Sequence, residues 1–125
     1  MKSGFIVLGH GSHSSIGKAN AMIFAVANIL KTKVGAELVE TAIVNRDSGL
    51  PGLADAVFRL VAAGVGEIVI APLFLAGGMH VRSGIPEEIA LLEVEYPQVV
   101  IKLAEPIGAD SRIADILLER IRAAQ

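Results

Sequence analysis

The sequence contains no cysteine, no tryptophan and few aromatic residues of any kind. Without cysteine the chain forms neither disulfides nor thiolate metal sites, so a bound metal would need histidine, carboxylate or amide ligands. Aromatic residues make up 4% of the chain and hydrophobic residues 53%, so the core must be aliphatic. The formal net charge of −2 gives no overall attraction to nucleic acid or to an anionic membrane.

Long uninterrupted apolar segments are also missing. Asn, Gly or Pro breaks each apolar run well short of the ~20 residues that a membrane-spanning helix needs. No basic segment precedes a signal-like apolar region, because the chain enters a predicted strand near Gly4. We therefore expect a cytoplasmic protein with no membrane or nucleic-acid partner. The length of 125 residues favours one domain over residues 1–125.

Apolar runs alternate along the chain with helix-spaced apolar residues. Continuous runs such as Phe5–Leu8 and Ile68–Ala71 are typical of strands that are covered on both faces of a parallel sheet. The last helix is expected to be capped by Asp110. Its apolar stripe is expected to pack into the core through Ile113, Ile116, Leu117 and Ile121. The predicted strands are residues 4–8, 37–44, 67–71 and 98–103, and the predicted helices begin near residues 15, 51, 85 and 111.

Four successive strand–helix units predict an α/β fold: a single doubly wound four-stranded parallel sheet with right-handed crossovers and helices on both faces. The second strand is more amphipathic than the first and is expected at an edge. In a flavodoxin-like strand order the first and third strands are neighbours, and ligands bind at their carboxyl ends.

Histidines follow these two strands. Gly9-His10-Gly11 leaves the first strand, and a glycine-rich loop that carries His80 leaves the third. Two of the three histidines therefore fall at neighbouring strand ends, where both imidazoles can face one space. Arg46 and Arg82 fall near the same edge and favour binding of an anion there. His13 falls in a loop or first helical turn and is the weaker candidate.

Other interpretations of the first loop have less support. Gly9-x-Gly11 lacks the third glycine of a dinucleotide-binding fingerprint and the Gly-Lys-Ser/Thr ending of a P-loop. Ser12 does not stand in the Gly-x-Ser-x-Gly pattern of a nucleophile elbow. A phosphohistidine enzyme with His10 as its nucleophile is a further alternative, but no arginine directly precedes His10.

Three segments carry the most specific motifs: Phe5–Ser12 (FIVLGHGS), Ile70–Val81 (IAPLFLAGGMHV) followed by Ile85-Pro86, and Glu105–Gly108 (EPIG). Together they resemble the small class II tetrapyrrole chelatases of the CbiX type, in the family's order and over nearly the whole chain. The resemblance implies insertion of Co²⁺, or of Ni²⁺ in some relatives, into sirohydrochlorin without ATP. The reaction would belong to a cobalamin or related tetrapyrrole (porphyrin) biosynthesis pathway.

The resemblance also implies roles for residues. His10 and His80 would bind the metal and accept the two pyrrole N–H protons, because imidazoles suit Co²⁺ and Ni²⁺ and titrate near neutral pH. The metal is a substrate, and no permanently bound cofactor is expected. Short members of the family pair as homodimers, so we expect a homodimer. The residues expected to contact the carboxylates or the apolar face of the tetrapyrrole are Ser12, Asn45, Arg46, Phe74, Met79 and Arg82.

The chain departs from the family pattern at two positions. Asn45 stands where many of these chelatases carry a glutamate after the second strand, and an amide cannot accept a proton as a carboxylate does. Gly84 stands where an aspartate commonly precedes the Ile-Pro pair, which leaves capping of the third helix to Ser83. A metal or tetrapyrrole carrier that keeps the fold but has lost turnover is therefore the main alternative.

Overall fold

A computed structural model of the chain describes residues 2–11, 18–34, 38–44, 50–76 and 84–125. Strands and helices alternate in these residues, as the sequence pattern predicts. No helix among them combines the length and the apolar character that a membrane crossing requires. The elements are β1 (Ser3–Gly9), α1 (Lys18–Val34), β2 (Val39–Ile43), α2 (Leu53–Ala62), β3 (Glu67–Pro72), α3 (Ile85–Glu95), β4 (Val100–Leu103) and α4 (Ser111–Ala124).

The four strands form one parallel sheet in the order β2-β1-β3-β4. The predicted architecture, the neighbouring positions of β1 and β3 and the edge position of β2 are confirmed. Leu8, near the carboxyl end of β1, pairs with Ala42 of β2 and with Pro72 of β3. The three strands therefore end at one edge of the sheet, where ligands bind in folds of this kind.

One face of the sheet is covered by α2 and α3, and we call it the α2–α3 face. Side chains alternate between the two faces of a strand, so Ile6 and Leu8 of β1 and Ile68 and Ile70 of β3 all point to this face. Each of them is fully buried. The buried side chains that the helices contribute are Leu53, Val57 and Leu60 of α2 and Ile85, Ile89 and Leu92 of α3.

The opposite face, which we call the α1 face, is covered by α1 along β1 and β2. Ile23 and Ala27 of α1 pack there against Val7 of β1 and against Val39 and Ile43 of β2. The predicted start of α1 near residue 15 lies outside the described residues. The two faces thus use different helices and separate clusters of buried side chains.

The N-terminus of α4 is capped as predicted. The Asp110 carboxylate accepts a hydrogen bond from the backbone N–H of Arg112 at 2.9 Å and two more from the Arg112 guanidinium. These hydrogen bonds, the side-chain ones foremost, hold the pKa of Asp110 well below its usual range. The cap is therefore charged at neutral pH.

The predicted packing of α4 into the core is wrong. No residue of α4 is buried within the described part of the chain, and α4 makes no extensive contact with another described element. Helical spacing correctly indicates an apolar stripe, but it does not specify which surface covers that stripe. Ile113, which was expected in the core, is instead partly exposed. The other expected core residues of α4 are more exposed still: Ile116 at 46%, Leu117 at 58% and Ile121 at 56%.

Candidate functional site

His10 is the first residue after β1 and lies at the carboxyl edge of the sheet. By strand alternation it continues the row of Ile6 and Leu8 on the α2–α3 face. Its exposed imidazole contacts the ring of Phe74, with the ring centroids 5.0 Å apart and the planes tilted by 41°. Phe74 is itself only 9% exposed, so one side of the imidazole rests on the edge of the core.

Two glycines flank His10, and each occupies a position that admits no side chain. A Cβ atom at Gly9 would overlap the side chain of Ile23, which reaches up from α1. A Cβ atom at Gly11 would overlap the Cγ2 methyl of Ile43, and Gly11 also has a φ of 78°, which only glycine adopts readily. The backbone on both sides of His10 is therefore packed directly against the α1 face.

The chain that leaves β3 is held beside His10 by backbone hydrogen bonds. The N–H of Leu73 donates to the carbonyl of Leu8 at 2.8 Å, which extends the β1–β3 pairing beyond Pro72. The carbonyl of Phe74 accepts from the N–H of Ile107 at 2.9 Å, in the segment that follows β4. Phe74 is therefore fixed between two strand ends, and the loop that carries His80 leaves from this position.

A cleft of about 250 Å³ opens at the same edge, on the α2–α3 face. It lies between the ends of β1 and β2 and the N-termini of α2 and α3, whose exposed N–H groups carry partial positive charge. Among the described residues, Glu88 of α3 is the only ionisable side chain in its lining. The residues around it are Leu8, Ile43, Val44, Gly52, Leu53, Gly84 and Ile85.

Glu88 is the residue that sequence analysis misses. The sequence pattern places it with the outward glutamates of α3, but its side chain is half-buried and faces the cleft. The signal was present in the helical spacing, because residue 88 lies three positions after Ile85 and one before Ile89. It therefore borders the buried stripe, whereas Glu87 points to solvent.

The described residues contain two of the predicted site residues, and the structure brings these two, His10 and Phe74, into contact. Within the described ranges, no group of three or more histidine, aspartate or glutamate side chains is arranged to hold a metal ion. The roles predicted for His10 and His80 stay predictions. The predicted site residues that lie outside the described residues are Ser12, Asn45, Arg46, Met79, His80 and Arg82, together with His13 and the capping residue Ser83.

Several proteins are similar to this chain in both sequence and fold. The sirohydrochlorin cobaltochelatase of Sulfurisphaera tokodaii is 34% identical over 118 residues, which cover 94% of this chain and 90% of the relative. A crystal structure of a CbiX protein from Marinobacter aquaeolei superposes with a TM-score of 0.76 at 31% identity, over 98% of this chain and 96% of that one.

A third comparison involves a chain of about twice the length. The sirohydrochlorin chelatase SirB of Bacillus subtilis subspecies spizizenii, solved in complex with cobalt, matches with a TM-score of 0.87 at 29% identity. The match covers 98% of this chain but only 51% of SirB. The sequence model of the CbiX family matches residues 4–124, and this chain belongs to the CbiX family.

Proposed function

We propose that this protein inserts a divalent metal, Co²⁺ or alternatively Ni²⁺, into sirohydrochlorin without ATP. The observation that carries the proposal is the position of His10: an exposed imidazole at the carboxyl end of β1, beside the strand whose exit loop carries His80. Family membership supports the reaction type, since the similar Sulfurisphaera protein is a sirohydrochlorin cobaltochelatase. A cytoplasmic location and a role in cobalamin or related tetrapyrrole biosynthesis belong to the same proposal.

Metal insertion requires three things of a protein. It must hold the ion while water ligands exchange, accept two pyrrole N–H protons, and keep the macrocycle oriented toward the ion. Imidazoles suit the first two tasks, because they bind Co²⁺ and Ni²⁺ and accept protons near neutral pH. We assign both tasks to His10 and His80 together, with the metal as a substrate and no resident cofactor.

The size of the cleft suggests that the tetrapyrrole ring and its smaller substituents, or the metal, occupy different places on the protein. A tetrapyrrole macrocycle is larger than 250 Å³, so the ring would lie outside the cleft, against His10 and Phe74. The cleft would then receive a smaller group, such as the hydrated metal or one peripheral carboxylate. Ser12, Asn45, Arg46, Met79 and Arg82 complete the proposed contacts, with the arginines on carboxylates and Met79 on the apolar ring face.

Glu88 offers a carboxylate where the family glutamate is replaced by Asn45. It lines the cleft next to Ile43 and Val44, which directly precede Asn45 in the chain. A carboxylate there can accept a proton or a hydrated cation, and an amide cannot take the proton. We therefore assign Glu88 a supporting role in metal delivery or proton removal.

A homodimer is the proposed assembly. The double-length SirB carries a second half in one chain, whereas this chain matches about half of it. Two copies of the present chain would supply an equivalent pair of units.

The test is the visible absorption of sirohydrochlorin mixed anaerobically with Co²⁺ and a substoichiometric amount of protein, against a protein-free control. Faster insertion over many turnovers is expected, and the series is repeated with Ni²⁺ and Fe²⁺ to rank the metals. If the insertion rate equals that of the control for every metal, the chelatase proposal is wrong.

A carrier of metal or tetrapyrrole is the second candidate, because Asn45 replaces the usual glutamate. A carrier gives a spectral shift that saturates at one equivalent of protein without faster insertion. In that case Asn45→Glu should be tested, because a gain of turnover in this variant would show that the asparagine causes the lack of chelatase activity.

A further inference from the structure

Asn20 is the one polar side chain that the described part of the chain buries almost completely, with 1% of its surface exposed. It lies in α1, and the next buried residues of that helix are Ile23 and Ala27, three and seven positions further on. Asn20 therefore occupies a position in the buried stripe of α1 where the spacing predicts an apolar residue. Burial of a carboxamide among apolar side chains is unfavourable unless the group is hydrogen-bonded.

The other two helices that cover the sheet show that this position does not in itself require a polar residue. Like α1, α2 and α3 start at the carboxyl edge of the sheet. Each of them begins its buried stripe with an apolar side chain, Leu53 in α2 and Ile85 in α3. In the described part of α1 the first buried side chain is that of Asn20. The exception coincides with the helix that follows the strand of His10.

The Asn20 carboxamide has a partner inside the protein. No buried side-chain nitrogen or oxygen atom in the described residues lacks a hydrogen bond. A buried polar group whose hydrogen bonds are all formed has one preferred orientation, whereas an alkyl side chain can pack in several ways. Asn20 is therefore suited to hold a neighbouring segment of the chain in one position.

The turn that carries His10 lies next to this carboxamide. The Oδ1 atom of Asn20 is 3.5 Å from the position that a Cβ atom at Gly11 would occupy. The Cγ2 methyl of Ile43 reaches the same place from β2. Gly11 therefore packs against a polar group of α1 and an apolar group of β2 at once.

These contacts matter because His10 lies beyond the end of its strand. Gly9 is the last residue of β1, and its carbonyl accepts a hydrogen bond from the N–H of Val44 at 2.9 Å. His10 and Gly11 follow this point. The direction in which the imidazole leaves the sheet therefore depends on contacts outside the strand pairing, and the contact of Asn20 at Gly11 is one of them.

We infer that Asn20 is a positioning residue for His10. Its carboxamide holds the turn at Gly11, and the turn fixes the place where the imidazole contacts Phe74 and would meet the metal. The inference deepens the proposed function, and its kinetic test rests on that function. Asn20 acts through the backbone and takes no part in the reaction itself.

The first test measures the position of His10 without any substrate. The Phe74 ring lies 5.0 Å from the imidazole, centroid to centroid, so its ring current shifts the NMR signals of the His10 ring protons. The chain has three histidines, and the His10 signals are identified by their loss in His10→Ala. Asn20→Leu keeps a branched side chain but removes its hydrogen bonds. In this variant the His10 signals should move toward their positions in Phe74→Leu, which lacks the ring current.

Two further variants provide the controls. Val39→Ala shortens a side chain buried against α1 at the other end of β2, and it should leave the His10 signals in place. Asn20→Ser keeps a polar group but loses the contact at Gly11, so it should shift the His10 signals in the same direction even if Asn20→Leu does not fold. Unchanged His10 signals in a folded Asn20 variant overturn the inference, and so does an equal shift in Val39→Ala.

The second test determines whether Asn20 acts through His10 in metal insertion. Asn20→Leu should lower kcat about 10- to 100-fold while the KM for sirohydrochlorin stays nearly constant, because a small displacement of a reacting group has an effect of this size. In the His10→Ala background the same substitution should have almost no further effect, since the group that it positions is already absent. An equal loss of kcat in both backgrounds would overturn the inference.

The outcomes distinguish this inference from the proposed function. If the parent protein inserts no metal, the proposed function is wrong, but the NMR comparison still decides whether Asn20 positions His10. If the parent protein is active and the His10 signals do not respond to the Asn20 variants, the protein is a chelatase and only the positioning role is wrong.

Discussion

The two faces of the sheet are built from the same strands but differ in how completely one chain covers them. Ile101 and Val100 are consecutive residues of β4, yet Ile101 is 7% exposed on the α2–α3 face and Val100 is 43% exposed on the α1 face. Within the described residues, two helices cover the first face, whereas α1 covers only the half of the second that lies over β1 and β2. The face that carries His10 and Phe74 is therefore the more completely covered of the two.

The candidate site and the uncovered apolar surface therefore lie on different faces of the sheet. The described part of the candidate site, His10 and Phe74, lies at the edge of a face whose core is closed by α2 and α3. The partly covered face leaves apolar surface that a single copy does not bury. Substitutions near His10 should consequently lower activity, whereas substitutions on the α1 face should change stability more than activity.

The largest expected effect is on activity at the edge of the α2–α3 face. His10→Ala should lower the rate of metal insertion by about 100-fold or more, because a positioned acid–base group contributes that much or more. The thermal unfolding midpoint should barely change, since the imidazole is exposed. Absorption kinetics and circular dichroism on the same sample check both statements. If the His10→Ala protein inserts metal at the parent rate, His10 takes no part in the reaction.

The next effect concerns stability on the two sides of β3. Ile70→Ala removes a fully buried side chain from the α2–α3 face and should lower the free energy of unfolding by about 2–5 kcal/mol. Val69→Ala removes a partly exposed side chain from the other face and should cost clearly less in denaturant titrations at low protein concentration. If Val69→Ala becomes more costly as concentration rises, assembly buries that face. If Ile70→Ala and Val69→Ala lower the free energy of unfolding equally at every protein concentration, the two faces do not differ in burial as described.

A smaller effect is expected where the two faces meet. Gly11→Ala must adopt a positive φ and also overlap Ile43, so we expect a loss of about 1–3 kcal/mol in the free energy of unfolding. Activity should fall as well, because the adjacent His10 is displaced. Gly64→Ala is the control: its φ of 88° is similar, but nothing lies near its Cβ. Comparable activity in both variants would mean that the packing against Ile43 does not position His10.

The cleft gives a more modest prediction for activity. Glu88→Gln should lower the insertion rate by roughly tenfold, since a supporting carboxylate is lost while its shape is kept. Glu87→Gln, on the exposed side of α3, should retain the parent rate. The readout is the rate as a function of Co²⁺ concentration. Identical curves for the two variants would exclude the assignment of Glu88.

The smallest effect is expected at α4. The pKa of Asp110 is lowered in the folded chain by its hydrogen bonds from Arg112, so its stabilisation is present above the ordinary aspartate range and is lost as pH falls through and below it. Asp110→Asn should remove this acid-dependent part. Helix content by circular dichroism between pH 5 and pH 2 should therefore depend less on pH in the variant than in the parent protein.

The sequence predicts the α2–α3 face well, because its strands and helices carry apolar stripes that the same chain buries. It also places His10 beside β3, since parallel topology fixes where strand ends lie. It fails for α4, where the stripe is real but its partner does not come from the described part of the same chain. It also misses Glu88, because a glutamate at the border of a stripe is indistinguishable from an outward one until the cleft beside it is seen. The spacing of apolar residues predicts which side of a helix or strand is apolar, but it does not predict which part of the protein packs against that side.

The close approach of Gly9 and Ile23 couples two positions that are distant in the sequence. Ile23 lies on α1 and is not itself one of the described lining residues of the cleft, yet its side chain fills the space that any larger residue at position 9 would need. A larger residue at position 9 requires a smaller side chain at position 23 or a shift of α1, so we expect substitutions at the two positions to have non-additive effects on stability. Shortening Ile23 to valine or alanine is therefore a remote change through which the backbone at His10 could be shifted without altering any residue of the site.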